Sequence, residues 1–368
     1  MCQPVFEILR DGYDNHGTKL DQRGGNMKDE LQLLRKIIPD MAEEMVKRYR
    51  ILKTVKLLEP CGRRLVVLSL GMTERTVRSE IEKLNAQGLV KVSKTGMSVT
   101  EEGTLVLDGL HELFGKLTGM AALEEKIKSI LGAQRVMLAQ GDCEESDRTA
   151  KEMAHMGARA LLDILKRNSR VAITGGSTMA TLVDAIPDMA TKKAEMILPA
   201  RGSVGRKLEL QADTLAAKIA EKIGAEYRML HLPDNLSPNV LEEMKREPEV
   251  AETIAELQRL DILMLGVGDA MEMAEKRRLD GVVKQKLKKE NAVAEACGYY
   301  FNYKGEVVYE TNSIGVDFSK VHTIKNVIVS AGGKKKAACL LALSKSMSNA
   351  IFVLDEGAAL EMLRLIEQ

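Results

Sequence analysis

Arg170-Val-Ala-Ile-Thr-Gly-Gly-Ser-Thr-Met-Ala180 is a short apolar run that meets two glycines, two hydroxyl residues and the start of a helical pattern. It reads as a buried strand, a glycine loop and a helix. Such a loop aims backbone N–H groups and two hydroxyls at one point, at the positive end of a helix dipole, which suits an anion. The motif is neither a Walker A loop nor the dinucleotide fingerprint. A plain glycine turn is its simpler reading.

The same texture extends on both sides. Apolar, strand-like stretches at 135–138, 170–174, 195–200, 227–230, 262–266, 325–330 and 350–354 alternate with helical ones at 147–167, 179–185, 210–223, 248–258 and 334–345. Alternation of this kind predicts an α/β fold, a largely parallel sheet covered by helices. With right-handed crossovers it becomes a Rossmann-like, doubly wound domain spanning 115–368.

Three further strand exits carry cations or glycines: Leu198-Pro-Ala-Arg-Gly202 with Arg201, Leu265-Gly-Val-Gly-Asp269 ahead of Lys276-Arg277-Arg278, and Ile328-Val-Ser-Ala-Gly-Gly-Lys-Lys-Lys-Ala337 with Lys334, Lys335 and Lys336. Ligands of open α/β sheets gather at the carboxyl ends of strands. The four loops are therefore expected to converge, and two sets of donors imply a ligand with two anionic ends. Taken singly, each lysine is better read as a solvated surface residue. His231 and His322 are isolated. Asp213, Glu226, Asp269, Asp280 and Glu295 are candidate acids or bases, but no diagnostic spacing pairs them. No catalytic residue, metal site or cofactor is predicted.

Upstream, Gly62–Leu84 reads as helix, glycine turn and helix: Arg63–Leu70, Gly71-Met72, then Glu74–Ala86 capped by Thr73 and closed at Gly88. Leu65, Val66, Leu68, Leu70, Val77, Ile81 and Leu84 are expected to pack the two helices together. Two strand-like stretches, 89–93 and 96–100, make a hairpin. This is the pattern of a winged helix-turn-helix over 27–114. Its second helix offers Thr73, Arg75, Thr76, Arg78 and Ser79 to bases and phosphates, and its wing offers Lys91 and Lys94 to the backbone. The alternative is a small helical bundle with solvated charges. Charge favours DNA: residues 27–100 carry 15 Lys and Arg against 9 Asp and Glu, a net of +6 in a chain whose total is +1. Ahead of it, apolar residues from Leu34 to Val55 fall at helical spacing, with Pro39 at a first helical turn. Behind it, 101–132 reads as one long amphipathic helix with Leu105, Leu107, Leu110, Leu113, Phe114 and Leu117, a linker or dimerisation element.

The composition excludes other classes. A chain of 368 residues with 45% hydrophobic residues has room for two domains and is not disordered. No apolar run is long enough to span a membrane, and nothing reads as a signal peptide. Five scattered cysteines argue against a disulfide framework or zinc cluster and for a reducing cytoplasm. Residues 1–26 lack periodicity and are expected to be disordered. The Arg23-Gly-Gly25 codons fit a ribosome-binding run ahead of Met27, which makes Met27 the expected native start.

Taken together, the helix-turn-helix, Thr-Gly-Gly-Ser-Thr at 174–178, Pro-Ala-Arg-Gly at 199–202, Gly-Val-Gly at 266–268 and Ala-Gly-Gly-Lys at 331–334 resemble the SorC family of bacterial transcription regulators. The effector domain of that family is similar to sugar-phosphate isomerases and glucosamine-phosphate deaminases. The resemblance covers about 28–368. It implies a repressor of central glycolytic genes, with fructose 1,6-bisphosphate as inducer and operator DNA and further copies of itself (a homodimer or homotetramer) as partners. It further implies that Gly175, Gly176, Ser177 and Thr178 hold one phosphate with Lys336 nearby. Arg201, Gln211, Lys276 and Arg277 would bind the other end or the sugar, and Glu295 would accept a sugar hydroxyl. The family's loop often ends Thr-Thr where this chain has Ser177-Thr178, which keeps the hydroxyl. Two alternatives stand beside this reading, an isomerase- or deaminase-type enzyme and a regulator that senses another sugar phosphate. As mechanism, effector binding is expected to rearrange contacts between effector domains through the long helix at 101–132.

Overall fold

The computed structural model describes residues 37–188, 193–204, 207–347 and 350–367. The expected extension at 1–26, the Met27 start and the first helical residues after it lie outside them. Helix α1 (Pro39–Leu58) has Pro39 in its first turn and Asp40 beside the dipole's positive end. Its second half is the buried half, through Ile51, Leu52 and Val55, whereas Ile37, Ile38 and Met41 face solvent. Helices α2 (Arg63–Leu70) and α3 (Glu74–Ala86) follow, joined by a turn with Gly71 in the left-handed region. Thr73 caps α3 by accepting the Thr76 N–H at 3.2 Å, a contact that stabilises a helix by about 1 kcal/mol. Strands β1 (Val90–Ser93) and β2 (Gly96–Val99) form an antiparallel wing, and Cys61 adds a bridge to Met97.

The core beneath these elements joins Ile51, Leu52, Val55, Val66, Val77, Ile81, Leu84, Val90 and Met97. Two residues expected there are not in it: Leu65 and Leu68 are 44% and 79% exposed. In the two-turn helix α2, Val66 points at α3, and residues one before and two after it must point elsewhere.

The single helix expected over 101–132 is two, α4 (Glu101–Leu117) and α5 (Met120–Leu131). Gly119 sits at φ 80°, a conformation glycine adopts without steric cost, and the Thr118 hydroxyl bonds back to the Phe114 carbonyl at 2.8 Å. Leu107 and Phe114 are buried. Phe114 stacks on Tyr49 of α1 with ring centroids 4.0 Å apart. Leu105 is 73% exposed and adds nothing to that core.

The larger domain is built on seven parallel strands: β3 (Arg135–Ala139), β4 (Arg170–Ile173), β5 (Met196–Pro199), β6 (Glu226–Tyr227), β7 (Ile262–Leu265), β12 (Asn326–Ser330) and β13 (Ala350–Asp355). Their order is β3-β13-β12-β7-β4-β5-β6. From β4 the chain winds out to β6. From β7 it winds the other way to β13. The carboxyl ends of β4 and β7 therefore flank the topological switch point, where a crevice opens.

Alternate strand residues serve opposite faces. Val171, Ile173, Ile262 and Met264 pack under α6 (Asp147–Ile164), α7 (Ser177–Asp184) and α8 (Ala212–Ile223). Ala172, Leu263 and Leu265 pack under α5, α13 (Ala337–Ser344) and α14 (Glu356–Ile366). Between β6 and β7 lie α9 (Pro238–Met244) and α10 (Pro248–Leu257).

Between β7 and β12 the chain adds an antiparallel sheet that the reading of the sequence did not contain: β8 (Gly268–Asp269), β9 (Ala292–Ala296), β10 (Tyr299–Asn302) and β11 (Val307–Glu310), with α11 (Ala270–Lys276) and α12 (Gly281–Lys289) inserted. Its strands are two to five residues long, too short to carry a clear period. The helix expected over 334–345 opens as a 3₁₀ turn at Lys334–Lys336 before α13.

Candidate functional site: a basic helix face and a cleft at the switch point

Two separate surfaces collect the residues singled out above. On the smaller domain, Thr73, Arg75, Arg78 and Ser79 lie on the exposed side of α3. Thr76 is half-buried, and its hydroxyl is 2.8 Å from that of Thr73. Arg78 pairs with Glu82 at 3.0 Å along the helix, both side chains exposed. Lys91 and Lys94 are exposed on the wing. Glu80 is turned inward, held by Arg48 at 2.7 Å and Lys83 at 2.6 Å. Arg63 and Arg64 at the start of α2 are exposed as well. They were not singled out, although a basic pair at the mouth of a helix-turn-helix is a signal for phosphate contact.

On the larger domain, a cleft of about 410 Å³ opens at the switch point. Gly175, Gly176, Ser177, Thr178, Arg201, Gln211, Lys276, Arg277, Glu295 and Lys336 all line it. All four strand-end loops contribute, joined by Gln211 at the start of α8 and Glu295 on strand β9. Ser177 and Thr178 open α7, so their amides have no carbonyl one turn upstream. The Gly176 amide is already engaged by the Leu210 carbonyl at 2.9 Å.

The cations in the cleft are of two kinds. Arg201 and Arg277 are buried and paired. Asp234 accepts from Arg201 Nε at 2.9 Å and from Arg277 Nε at 2.6 Å. Glu295 faces Arg277 Nη2 at 2.9 Å and also accepts the Gly298 N–H at 2.5 Å. Arg201 Nη2 donates to Thr311 Oγ1 at 2.5 Å. Two positive and two negative side chains thus cancel, and Arg277 Nη1 finds no partner among the described residues. Burial would raise the Asp234 carboxyl, but the two guanidinium charges outweigh it and hold the group below the usual carboxylate range. Burial likewise pushes the neighbouring Cys297 thiol up to about 12. Gly298 is required here, since a Cβ on it would stand 1.5 Å from Arg201 Nη1.

The second kind is free to meet a ligand. Lys207 and Lys276 are exposed at the rim. Lys336 is half-buried, its nearest acid being Glu272 at 3.8 Å. Of the three lysines in that run, only Lys336 lines the cleft; Lys334 and Lys335 turn to Glu145 and Glu144.

Gln211 lines the cleft with its amide engaged by backbone. It accepts from Val204 N–H and donates to the Val204 and Lys207 carbonyls, so its visible role is to tie Val204 to Lys207. The candidate acids also have structural tasks. Asp269 and Asp280 cap α11 and α12. Asp213 accepts the Leu230 N–H at 2.8 Å, and Glu226 is exposed on the edge strand. Asp234, the centre of the arginine pair, was missed. It lies in a loop with no motif, 33 residues from Arg201 and 43 from Arg277.

Residues 115–364 match the Sugar-bind family, a sugar-binding domain, and residues 45–114 match the CggR N-terminal DNA binding domain family. The chain belongs to the SorC-type, sugar-binding transcriptional regulators, and is a DNA-binding regulator, not an enzyme. It is similar to the central glycolytic genes regulators of Priestia megaterium (35% identical over 339 residues, 92% of this chain and 99% of the relative) and Bacillus subtilis (34% over 338 residues, also 92% and 99%). A SorC family regulator structure from Enterococcus faecalis is 30% identical with a TM-score of 0.62, over 66% of this chain and 99% of that one. The full-length sorbitol operon regulator SorC of Klebsiella pneumoniae, 16% identical over 91% of this chain and 99% of its own, shares the fold with a TM-score of 0.60. Among the described residues no helix is long and apolar enough to cross a membrane.

Proposed function

We propose that this chain is a cytoplasmic repressor of central glycolytic genes whose hold on operator DNA is relieved by fructose 1,6-bisphosphate bound in the switch-point cleft. The observation that carries the reading is the presence of two sets of donors, from different loops, in one cleft. The open amides and hydroxyls of Ser177 and Thr178 stand on one loop, and Lys207, Lys276 and the Arg277 edge stand on others. Two donor sets suit a sugar with a phosphate at each end better than a monophosphate. The similarity to two central glycolytic genes regulators supports the same pathway.

In this reading one phosphate rests on the start of α7 with Lys336 beside it. The other meets Lys276 and Arg277, and Glu295 accepts a sugar hydroxyl. No cofactor takes part. The regulator works as a homodimer or homotetramer, because paired half-sites call for paired recognition helices.

Thermal unfolding of the full chain against a panel of sugar phosphates tests the reading. A ligand at a hundred times its Kd adds about 2.7 kcal/mol, and each kcal/mol raises the Tm of a domain this size by roughly 2–4 °C. A rise with the bisphosphate and little with monophosphates is expected. A rise only with another sugar phosphate moves the regulator to another pathway. No rise with any of them removes the cleft from the mechanism.

A further inference from the structure

We infer that the ion pair between Lys53 of α1 and Glu152 of α6 is a releasable latch between the DNA-binding and effector domains, worked from the cleft by the turn that carries Lys336. The cleft end of this inference rests on the reading above; the latch itself does not.

The Lys53 ammonium lies 2.6 Å from Glu152 Oε1, and Glu152 is almost wholly buried. The partner oxygen of Glu152 is 3.3 Å from Arg148 Nη1. Arg148 Nη2 and the Thr149 hydroxyl both donate to the carbonyl of Gln140, at 3.2 and 2.9 Å. The next residue, Gly141, donates its N–H to Glu356 at 2.9 Å, and its carbonyl accepts the Gly357 N–H at 3.0 Å. Adjacent Asp355 accepts the Cys143 N–H at 2.7 Å and the Gly333 N–H at 2.8 Å on the same oxygen. Gly333 begins the 3₁₀ turn that ends in Lys336, on the cleft wall. Every step from cleft to recognition domain is therefore a hydrogen bond, an ion pair or one peptide link.

The seam is also incompletely satisfied. The Nε atoms of Arg50 and Arg148 and the Thr54 hydroxyl are buried without a partner among the described residues. Three cations, Arg50, Lys53 and Arg148, face two acids, Glu152 and Glu356. Burial and the nearby Arg148 charge both lower the Arg50 guanidinium. A well-packed, permanent interface leaves few such groups. An interface held by one close, buried pair, with an exposed Arg159–Asp108 pair at 3.7 Å and cations only partly satisfied beside it, is the kind of element that has a second arrangement. A ligand that draws Lys336 inward shifts the 333–336 turn. Asp355 and the 140–146 loop follow it, and the grip of Glu152 on Lys53 loosens.

Amide exchange on the full chain without ligand tests the latch, read at 45–58 in α1 and at 331–345. Gly333→Ala disturbs the cleft end, since its φ is 90° and a Cβ would meet Glu144 at 2.6 Å. In the parent it should speed exchange in 45–58 at least about fivefold, the lower edge of ordinary allosteric coupling. In a Glu152→Gln background α1 should already exchange fast, and Gly333→Ala should add nothing. Faster exchange at 331–345 with 45–58 unchanged would overturn the latch, as would effects that simply add. If Gly333→Ala does not fold, Asp355→Asn perturbs the same relay from its other side and is read the same way. Failure of fructose 1,6-bisphosphate to raise the Tm counts against the proposed effector alone, because no arm of this experiment contains it.

Discussion

The two cation-rich surfaces are built on opposite principles. On α3 and the wing, Arg75, Lys91 and Lys94 stand in water. In the cleft, Arg201 and Arg277 are buried against Asp234 and Glu295 before any ligand arrives. The exposed set attracts any polyanion through a screened, salt-dependent field and orders its side chains on contact. The buried set has no net charge to attract with. It contributes a fixed geometry, and the long-range pull on a ligand falls to Lys207, Lys276 and Lys336. One surface suits a long, repetitive anion, the other a small one that must fit.

The largest test of that contrast is Arg277→Met. It leaves Asp234 and Glu295 buried beside one guanidinium, and losing one partner of a buried pair costs about 3–5 kcal/mol. Urea unfolding of the full chain should show that loss, whereas Arg75→Ala should shift the midpoint by no more than about 0.5 kcal/mol. A small effect at Arg277 would mean that the cluster is wet and the two surfaces are alike.

Affinity should show the reverse. Arg75→Ala is expected to weaken operator binding by roughly 5- to 150-fold and leave the response to sugar phosphates unaltered in a thermal-shift titration. Acid separates the surfaces too. The Asp234 carboxyl is held below its ordinary value by the two arginines, so its stabilising contribution is complete above the unfolded value of about 3.9 and is lost as pH falls through the lower folded value. Unfolding midpoints compared at pH 7 and in the acid limb should reveal a loss that Asp234→Asn flattens. The smallest expected effect is at the wing. Lys91→Ala should lower the slope of log affinity against log salt by about 1 for every DNA sequence alike, and a change confined to one sequence would make Lys91 a base reader.

Much of this was legible from local pattern. The Thr73 cap, the α2–turn–α3 spacing, the alternation of strands and helices and the glycine loop at 174–178 each depend on residues a few positions apart, where period, capping and φ preference act. The helix break at Gly119 was not read, because the apolar spacing continues across it and only the left-handed turn interrupts it. Leu65 and Leu68 were assigned inward because α2 is apolar on more than one side; packing chose Val66. The antiparallel sheet of β8–β11 was invisible because strands of two to five residues carry too little periodicity.

In the cleft, residue type and strand-end position were enough to name the lining, since any doubly wound sheet brings those ends together. They could not tell which cations stay free. That depends on Asp234, which reaches Arg201 and Arg277 from a loop without a motif. The Lys53–Glu152 pair at the seam, 99 positions apart in the chain, lies equally beyond local pattern. Helix, cap and turn are settled by forces that act within about one turn of chain. Whether a buried charge is spoken for is settled by whichever distant side chain folding delivers to it, and only the packed structure holds that information.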